Sequence, residues 1–126
     1  MHFLLVRSVE LLIFLPYFGI MAQIQGAIMS TYPSISQALQ CMGIEIAQDQ
    51  EDKLYLYLEM MQAWNRKINL TAITDPQEMV RLHVQDSASI LPYIKGLSVL
   101  DIGTGAGLPG MVIAILRPDI QVHLLD

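Results

Sequence analysis

The sequence predicts an α/β protein in which a helical cap precedes one β-α-β unit. Two apolar runs, Val99–Ile102 and Ile120–Leu125, have the composition of buried strands, and they flank a glycine-rich turn and the short apolar segment Met111–Leu116. Residues 34–93 instead show helical spacing of apolar side chains and helix-start signals. Because strands that alternate with helical segments are typical of parallel sheets, the fold class is α/β.

Composition excludes several classes of protein. The chain has 126 residues, 53% of them hydrophobic, and a formal net charge of −5, which argues against a broadly basic nucleic-acid surface. A few placed cations could still contact RNA. The only cysteine, Cys41, excludes an internal disulfide and fits a reducing, cytoplasmic environment. Cysteine and histidine show no metal-ligand spacing, so we expect no metal site.

Residues 1–29 are interpreted as an apolar leader or as a start codon assigned too early. The apolar run Leu11–Ala22 is interrupted by Pro16 and is too short for a membrane span, so we expect no stable membrane association. Its length and the preceding Arg7 would suit a secretory signal. Translation from Met21 or Met29 is the favoured interpretation, because a secreted product conflicts with the cytoplasmic character of the remainder.

Residues 30–96 are predicted to form the helical cap. A short helix begins at Ser34 and stops at Gly43, and a longer helix begins near Asp49. Apolar side chains at i, i+4 and i+7 spacing along the longer helix predict a stripe that packs in the core. The members of this stripe are Leu54, Tyr57, Leu58, Met61, Trp64 and Ile68.

A third helix is predicted from Pro76 to about Val84, with Asp75 as its N-cap, and a separate short helix is predicted to open at Asp86. His83 lies near the end of the third helix. Asp86 follows three residues later and could orient the imidazole. The pair could equally form a polar clamp between two helices, and the sequence leaves both interpretations open.

Residues 103–110, here called the glycine loop, are predicted to bind a nucleotide-like cofactor. Gly105, Gly107 and Gly110 satisfy the G-x-G-x-x-G fingerprint, and the loop lies between a strand and a helix, where the fingerprint is meaningful. Asp126 follows the second strand, where its carboxylate could accept hydrogen bonds from the two ribose hydroxyls of an adenosine.

Asp101 favours S-adenosylmethionine over a dinucleotide. It lies two residues before Gly103 and gives the pattern Asp-x-Gly-x-Gly-x-Gly. A carboxylate close to a pyrophosphate would be repelled, whereas a carboxylate close to the ammonium group of S-adenosylmethionine would be attracted. On this argument Asp101, Gly105 and Asp126 belong to one cofactor pocket. The alternative is a glycine turn that binds nothing.

At this point the residues resemble a known family. Val99–Gly110 is similar to the first motif of the small-subunit ribosomal RNA methyltransferase G family, also called glucose-inhibited division protein B. The segments Trp64–Thr71, Asp75-Pro76 and His83–Ser87 resemble further motifs of that family and occur in the same order. The resemblance covers residues 34–126.

The resemblance implies a partial class I (Rossmann-like) methyltransferase fold, with residues 97–126 as its first β-α-β unit, truncated after the second strand. It also implies methylation of guanine N7 in 16S ribosomal RNA, with S-adenosylmethionine as donor and the rRNA or small ribosomal subunit as substrate. Gly103 and Leu108 match cofactor-contacting positions, and His83 and Asp86 match positions near the pocket mouth. Guanine N7 carries a free lone pair, so we nominate no catalytic base.

Two other functions stay open at this stage. The fingerprint alone would suit an NAD-type oxidoreductase domain, and a non-enzymatic remnant would account for a chain that lacks later strands. The first strand of a doubly wound sheet expects a neighbour on each side, and the sequence predicts only one. We therefore expect the isolated chain to be marginally stable and poor at methyl transfer.

Overall fold

A computed structural model describes residues 3–6 and 31–126. In chain order the regular elements are β1 (Phe3–Val6), α1 (Ile35–Gln40), α2 (Gln48–Ile68), α3 (Pro76–Met79), α4 (Asp86–Ala88), β2 (Ser98–Ile102), α5 (Gly110–Leu116) and β3 (Gln121–Leu125). A π-helical turn, Val80–Gln85, joins α3 to α4, and a 3-10 turn, Leu91–Tyr93, follows α4. This mixture of helices and strands confirms the α/β prediction.

The described strands form one sheet in the order β1-β3-β2. β2 and β3 are parallel, with Ile102 opposite Leu125, so their carboxyl ends meet at one edge. β1 pairs antiparallel with β3, with Phe3 opposite Leu125. The sequence did not predict β1, and the sheet therefore has three described strands instead of two. The interpretation of Leu11–Ala22 and of the start codon lies outside the described residues.

One apolar core joins the helices to the sheet. α5 is buried along its whole length and packs against β3, α2 and α4. Each fully buried leucine or isoleucine contributes about 1.5–3 kcal/mol through removal of its surface from water. The largest side chains with almost no exposure are Ile35, Leu39, Leu54, Leu58, Met79, Ile113, Val84, Val112 and Val122.

α1 is held to α2 by a buried carboxylate. The Ser34 hydroxyl caps α1 by accepting from Gln37 N at 3.3 Å, and Gly43 adopts φ +76° after the helix, as predicted. Glu51 of α2 is 7% exposed, and its Oε1 accepts a hydrogen bond from Ser36 N at 2.9 Å. This acid therefore compensates the free N–H groups at the start of α1 as well as lying in the first turn of its own helix.

The predicted core stripe of α2 is confirmed over its first half and wrong at its end. Leu54, Leu58 and Met61 are buried, but Trp64 is 51% exposed and Ile68 is 58% exposed. The reason is the length of the neighbouring helix. α2 has 21 residues and α5 has seven, about 31 Å against 10 Å, so the end of α2 extends past α5.

The predicted break at Asp86 is also wrong, because the chain stays helical from Pro76 to Ala88. Asp75 Oδ1 accepts from Glu78 N at 3.0 Å, which confirms the predicted cap of α3. Asp86 needs no cap, since its own N–H donates to the carbonyl of Arg81 inside the π-helical turn. A helix-start residue type thus continues an existing helix here.

Candidate cofactor site at the glycine loop

The glycine loop turns the chain from the end of β2 into α5. Gly103, Gly105 and Gly107 adopt φ values of +75°, +56° and +98°, a region that side chains with a Cβ rarely occupy. Gly103 N donates to Leu125 O at 2.7 Å, which ties the loop to the end of β3. The Leu108–Pro109 peptide bond is cis. The predicted succession of strand, glycine turn and helix is therefore confirmed.

The loop has an open half and a closed half. A Cβ on Gly103 or Gly105 would meet no atom within 4 Å, and both residues are exposed. A Cβ on Gly107 would lie 2.7 Å from Met111 Cγ, and one on Gly110 would collide with the Leu124 side chain and lie 2.8 Å from Asp101 Oδ2. Gly103 and Gly105, the open half, thus leave space above the backbone, whereas Gly107 and Gly110, the closed half, are required by packing.

Asp101 links the two ends of the glycine loop through hydrogen bonds. Its Oδ2 accepts hydrogen bonds from Thr104 Oγ1 at 2.8 Å and from Gly110 N at 2.9 Å. The Asp101 carboxylate therefore lies at the first turn of α5, where the helix dipole favours a negative charge. Among the described residues, no hydrogen bond is donated to the other carboxylate oxygen of Asp101.

Tyr57 supports the loop from α2, a role that the sequence did not indicate. Its hydroxyl donates to Ala106 O at 2.8 Å and would lie 3.3 Å from a Cβ on Gly107. Burial and the nearby charge of Asp101 raise the pKa of Tyr57, so the phenol keeps its proton and stays a donor. Spacing placed Tyr57 correctly in a buried stripe, but spacing carries no information on what its hydroxyl binds.

Asp126 and Leu108 have different environments. Because the carboxyl ends of β2 and β3 are adjacent, Asp126 comes next to the open half, and its Oδ1 accepts from Gly105 N at 3.3 Å. Asp126 is exposed. Leu108 is half-buried and packs against the apolar core.

His83 and Asp86 do not share a hydrogen bond. His83 is 6% exposed, and its Nε2 lies 3.2 Å from Thr71 Oγ1. Burial lowers the pKa of His83, although a backbone hydrogen bond with Leu82 acts in the opposite direction, so the imidazole is neutral at pH 7. Asp86 is exposed and begins α4, which packs against α5. In the described chain, neither side chain bonds to the glycine loop.

Known proteins match the part of the chain that contains this site. The family model for the rRNA small subunit methyltransferase G family (GidB) matches residues 50–126, a range that contains α2 except for its first two residues, the glycine loop and both strands that flank it. The chain belongs to this methyltransferase G family. The resemblance inferred from the motifs is thereby confirmed.

Three curated members of the methyltransferase G family show the extent of the similarity. All are called ribosomal RNA small subunit methyltransferase G. The protein of Methylobacillus flagellatus is 45% identical over 92 residues, which cover 73% of this chain and 45% of the relative. The Alkalilimnicola ehrlichii protein is 45% identical over 75% of this chain and 43% of its own length. The Marinomonas protein is 44% identical over 78% of this chain and 47% of its own length. The chain thus spans less than half the length of these relatives.

Two further findings concern the described part of this methyltransferase family member. Residues 3–6 and 31–126 contain no group of three or more His, Cys, Asp or Glu side chains that could hold a metal ion. Within the same residues no helix is both long enough and apolar enough to cross a membrane.

Proposed function

We propose that this chain carries the cofactor-binding part of an enzyme that methylates guanine N7 in 16S ribosomal RNA with S-adenosylmethionine. One observation carries the proposal: the open half of the glycine loop lies beside Asp126 and above Asp101. Gly103 and Gly105 leave free space over an exposed backbone, and Gly105 N already contacts the Asp126 carboxylate. Family membership supplies the reaction class.

Each residue has a part in this proposal. Gly103 and Gly105 would let the cofactor approach the backbone without a Cβ in the way. Asp126 would accept hydrogen bonds from the ribose hydroxyls, and the free oxygen of Asp101 would attract the ammonium group. Leu108 would contact the cofactor as the family resemblance implies. His83 and Asp86 are proposed at the pocket mouth, His83 as a neutral side chain held by Thr71.

The position of Asp101 speaks against a dinucleotide. In dinucleotide-binding folds the pyrophosphate occupies the N-terminus of the helix that follows the glycines. Here Asp101 Oδ2 already accepts from Gly110 N, the first residue of α5. A pyrophosphate would meet a carboxylate at the place where it needs N–H donors. The NAD-type alternative therefore loses its support from the fingerprint.

The proposed reaction requires the two reactants to be aligned and requires no proton transfer. S-adenosylmethionine supplies an activated methyl group, and guanine N7 has a lone pair that can accept it without prior loss of a proton. The protein then has to align N7 with the methyl carbon and to exclude water from that line. Accordingly, we assign no general base to His83 or Asp86.

The finer architecture is part of the same proposal. We infer a class I, Rossmann-like methyltransferase fold, with residues 30–96 as a helical cap and residues 97–126 as the first β-α-β unit. The parallel pairing of β2 with β3 around α5 supports this division. Cytoplasmic location is proposed because 16S ribosomal RNA and the small ribosomal subunit, the expected substrates, are found there.

The experiment is a pair of calorimetric titrations followed by a transfer assay. S-adenosylhomocysteine should release heat with a one-to-one end point, and NADH should not. Transfer of a labelled methyl group to 16S ribosomal RNA, mapped by chemical cleavage at N7-methylguanine, then tests the reaction. Heat from NADH alone, or label at another base atom, would contradict the proposal.

A further inference from the structure

The C-terminal end of α2 presents an aromatic ring and two cations to solvent. Trp64, the only tryptophan of the chain, is 51% exposed, and Arg66 and Lys67 are exposed beside it. Lys67 Nζ lies 5.1 Å from the centroid of the Trp64 ring, within cation–π range. These three residues are called the α2-end patch below.

The patch joins two adjacent cations that lack a carboxylate partner. Of the four other described cations, three are neutralised by neighbouring carboxylates, in the pairs Lys53–Asp49, Arg81–Glu78 and Arg117–Asp119, at 3.3, 2.7 and 2.7 Å, and Lys95 donates to the carbonyl of Pro92. Among the described residues, Arg66 and Lys67 have no carboxylate within ion-pair distance. In a chain of net charge −5, these two adjacent positive charges are therefore free to meet an external anion.

Trp64 lies on the face of α2 that points to the glycine loop, Lys67 lies next to this face, and Arg66 lies further around the last turn of the helix. Trp64 follows Tyr57 by seven residues, which is close to two helical turns, so the two side chains share a face about 10 Å apart along the helix. Tyr57 contacts Ala106 of the loop, while Gln50 at the other end of α2 donates to Ile115 O at 3.0 Å. Trp64 therefore lies just beyond the loop end of α5.

A simpler account covers only part of this arrangement. Cations in the last turn of a helix complement its dipole, which accounts for Arg66 and Lys67. It gives no reason for a large aromatic side chain that faces solvent on the loop side of α2. An exposed ring flanked by unpaired cations is the combination that binds single-stranded nucleic acid, since bases stack on the ring and phosphates pair with the cations.

We propose that the α2-end patch binds a single-stranded segment of the RNA substrate that runs around the end of α2, with one base stacked on Trp64 and successive phosphates paired with Lys67 and then Arg66. The proposal rests on the proposed function, because it places an RNA strand at the end of α2 that extends past the loop end of α5. In this proposal Trp64 contacts a base other than the one that is methylated.

Trp64 provides its own reporter. A short single-stranded oligoribonucleotide should quench the tryptophan fluorescence of the 126-residue chain, and a duplex of the same sequence should quench it much less. Trp64→Ala should weaken binding about 5- to 100-fold, measured by anisotropy of a labelled oligonucleotide, because one stacking contact is lost. Trp64→Phe should lose less, since a smaller ring still stacks.

Charge is tested separately. The double variant Arg66→Gln, Lys67→Gln should reduce the slope of log K against log salt concentration by about 1.4, which is the release of two counterions from a single strand. Lys53→Gln on the same helix and Arg117→Gln are matched controls, because each removes one cation that is already ion-paired. Both controls should bind RNA as the wild type does.

The outcomes separate the two proposals. Wild-type RNA affinity in Trp64→Ala and in the double variant would overturn the patch, as would absence of any fluorescence change with RNA. Heat from S-adenosylhomocysteine in those same variants would show that the cofactor site is intact, so that the cofactor proposal survives. Loss of cofactor binding in the wild type would instead count against the proposed function.

Discussion

The two halves of the glycine loop contain the same residue type for different physical reasons. Gly103 and Gly105 need their positive φ values and border empty space. Gly110 has no positive φ, and it is glycine because Leu124 and Asp101 leave no room for a Cβ. Gly107 has both reasons, with φ +98° and Met111 Cγ 2.7 Å from an added Cβ. Substitution of the closed half should therefore cause the larger loss of stability, whereas substitution of the open half should mainly lower cofactor affinity.

This difference teaches what a glycine motif encodes. In one stretch of eight residues, Gly110 lets α5 pack against β2 and β3, and Gly107 fits against Met111 and Tyr57. Gly103 and Gly105 leave space above an exposed backbone. Tyr57 and Asp101 contact the closed half from α2 and β2, so the open half rests on a fixed base. The four predictions below challenge this division, from the largest expected effect on stability to the smallest.

Gly110→Ala should produce the largest loss of stability. The added Cβ would collide with Leu124 and crowd Asp101 Oδ2, and overpacking of this kind costs about 2–3 kcal/mol. The measurement is the free energy of unfolding from urea denaturation. Gly96→Ala is the matched control, because its Cβ would meet only ordinary contacts at 3.8 and 3.9 Å and should leave stability unchanged or slightly increased.

Asp101→Ala should cost about 2 kcal/mol, because Thr104 and Gly110 would lose a charged acceptor. Asp101→Asn should cost less than about 1 kcal/mol, since the amide oxygen can accept both bonds. Calorimetry on the Asn variant isolates the charge: we expect weaker binding of S-adenosylhomocysteine, which carries the same ammonium group. Equal affinity in the wild type and the Asn variant would show that Asp101 only holds the loop.

Gly105→Ala should reduce stability by about 1 kcal/mol, the strain of an L residue in the left-handed region, and should reduce cofactor affinity at least about tenfold. Gly43→Ala is matched in backbone conformation, with φ +76° and no atom near its Cβ, and lies outside the loop. It should show the same loss of stability with unchanged affinity. Equal cofactor affinity in Gly105→Ala and Gly43→Ala would mean that no ligand lies against Gly105.

The smallest expected effect is a pH dependence of stability at His83, which lies outside both halves of the glycine loop. Because burial lowers the pKa of His83, the unfolded chain binds more protons than the folded chain once pH falls below about 6.5. Stability should therefore be constant above that pH and should decrease below it. His83→Gln should flatten this decrease in thermal unfolding measured across the range, and a decrease unchanged in that variant would contradict the assignment to His83.

Much of the fold could be predicted from local signals. Asp75 and Ser34 are side-chain caps with a short-range mechanism, and the glycines of the loop follow from backbone conformations that other residues avoid. The adjacency of Asp126 and Gly105 follows from parallel strands whose ends meet. These features depend on a few consecutive residues or on one general rule of α/β sheets.

The remaining features depend on which elements become neighbours. Trp64 has the spacing of a core residue, but it lies beyond the end of α5, whose seven residues could not be placed beside α2 from sequence. The same holds for Tyr57, whose hydroxyl meets Ala106, 49 residues away, and for β1, which pairs with β3 from the other end of the chain. Spacing predicts a face of a helix but not its partner.

The most direct test of the division is amide NMR of the loop glycines during titration with S-adenosylhomocysteine. The account predicts the largest chemical-shift changes at Gly103 and Gly105 and small changes at Gly107 and Gly110, which packing already fixes. Saturable binding with its largest changes at Gly107 and Gly110, or with no change at Gly103 and Gly105, would contradict it.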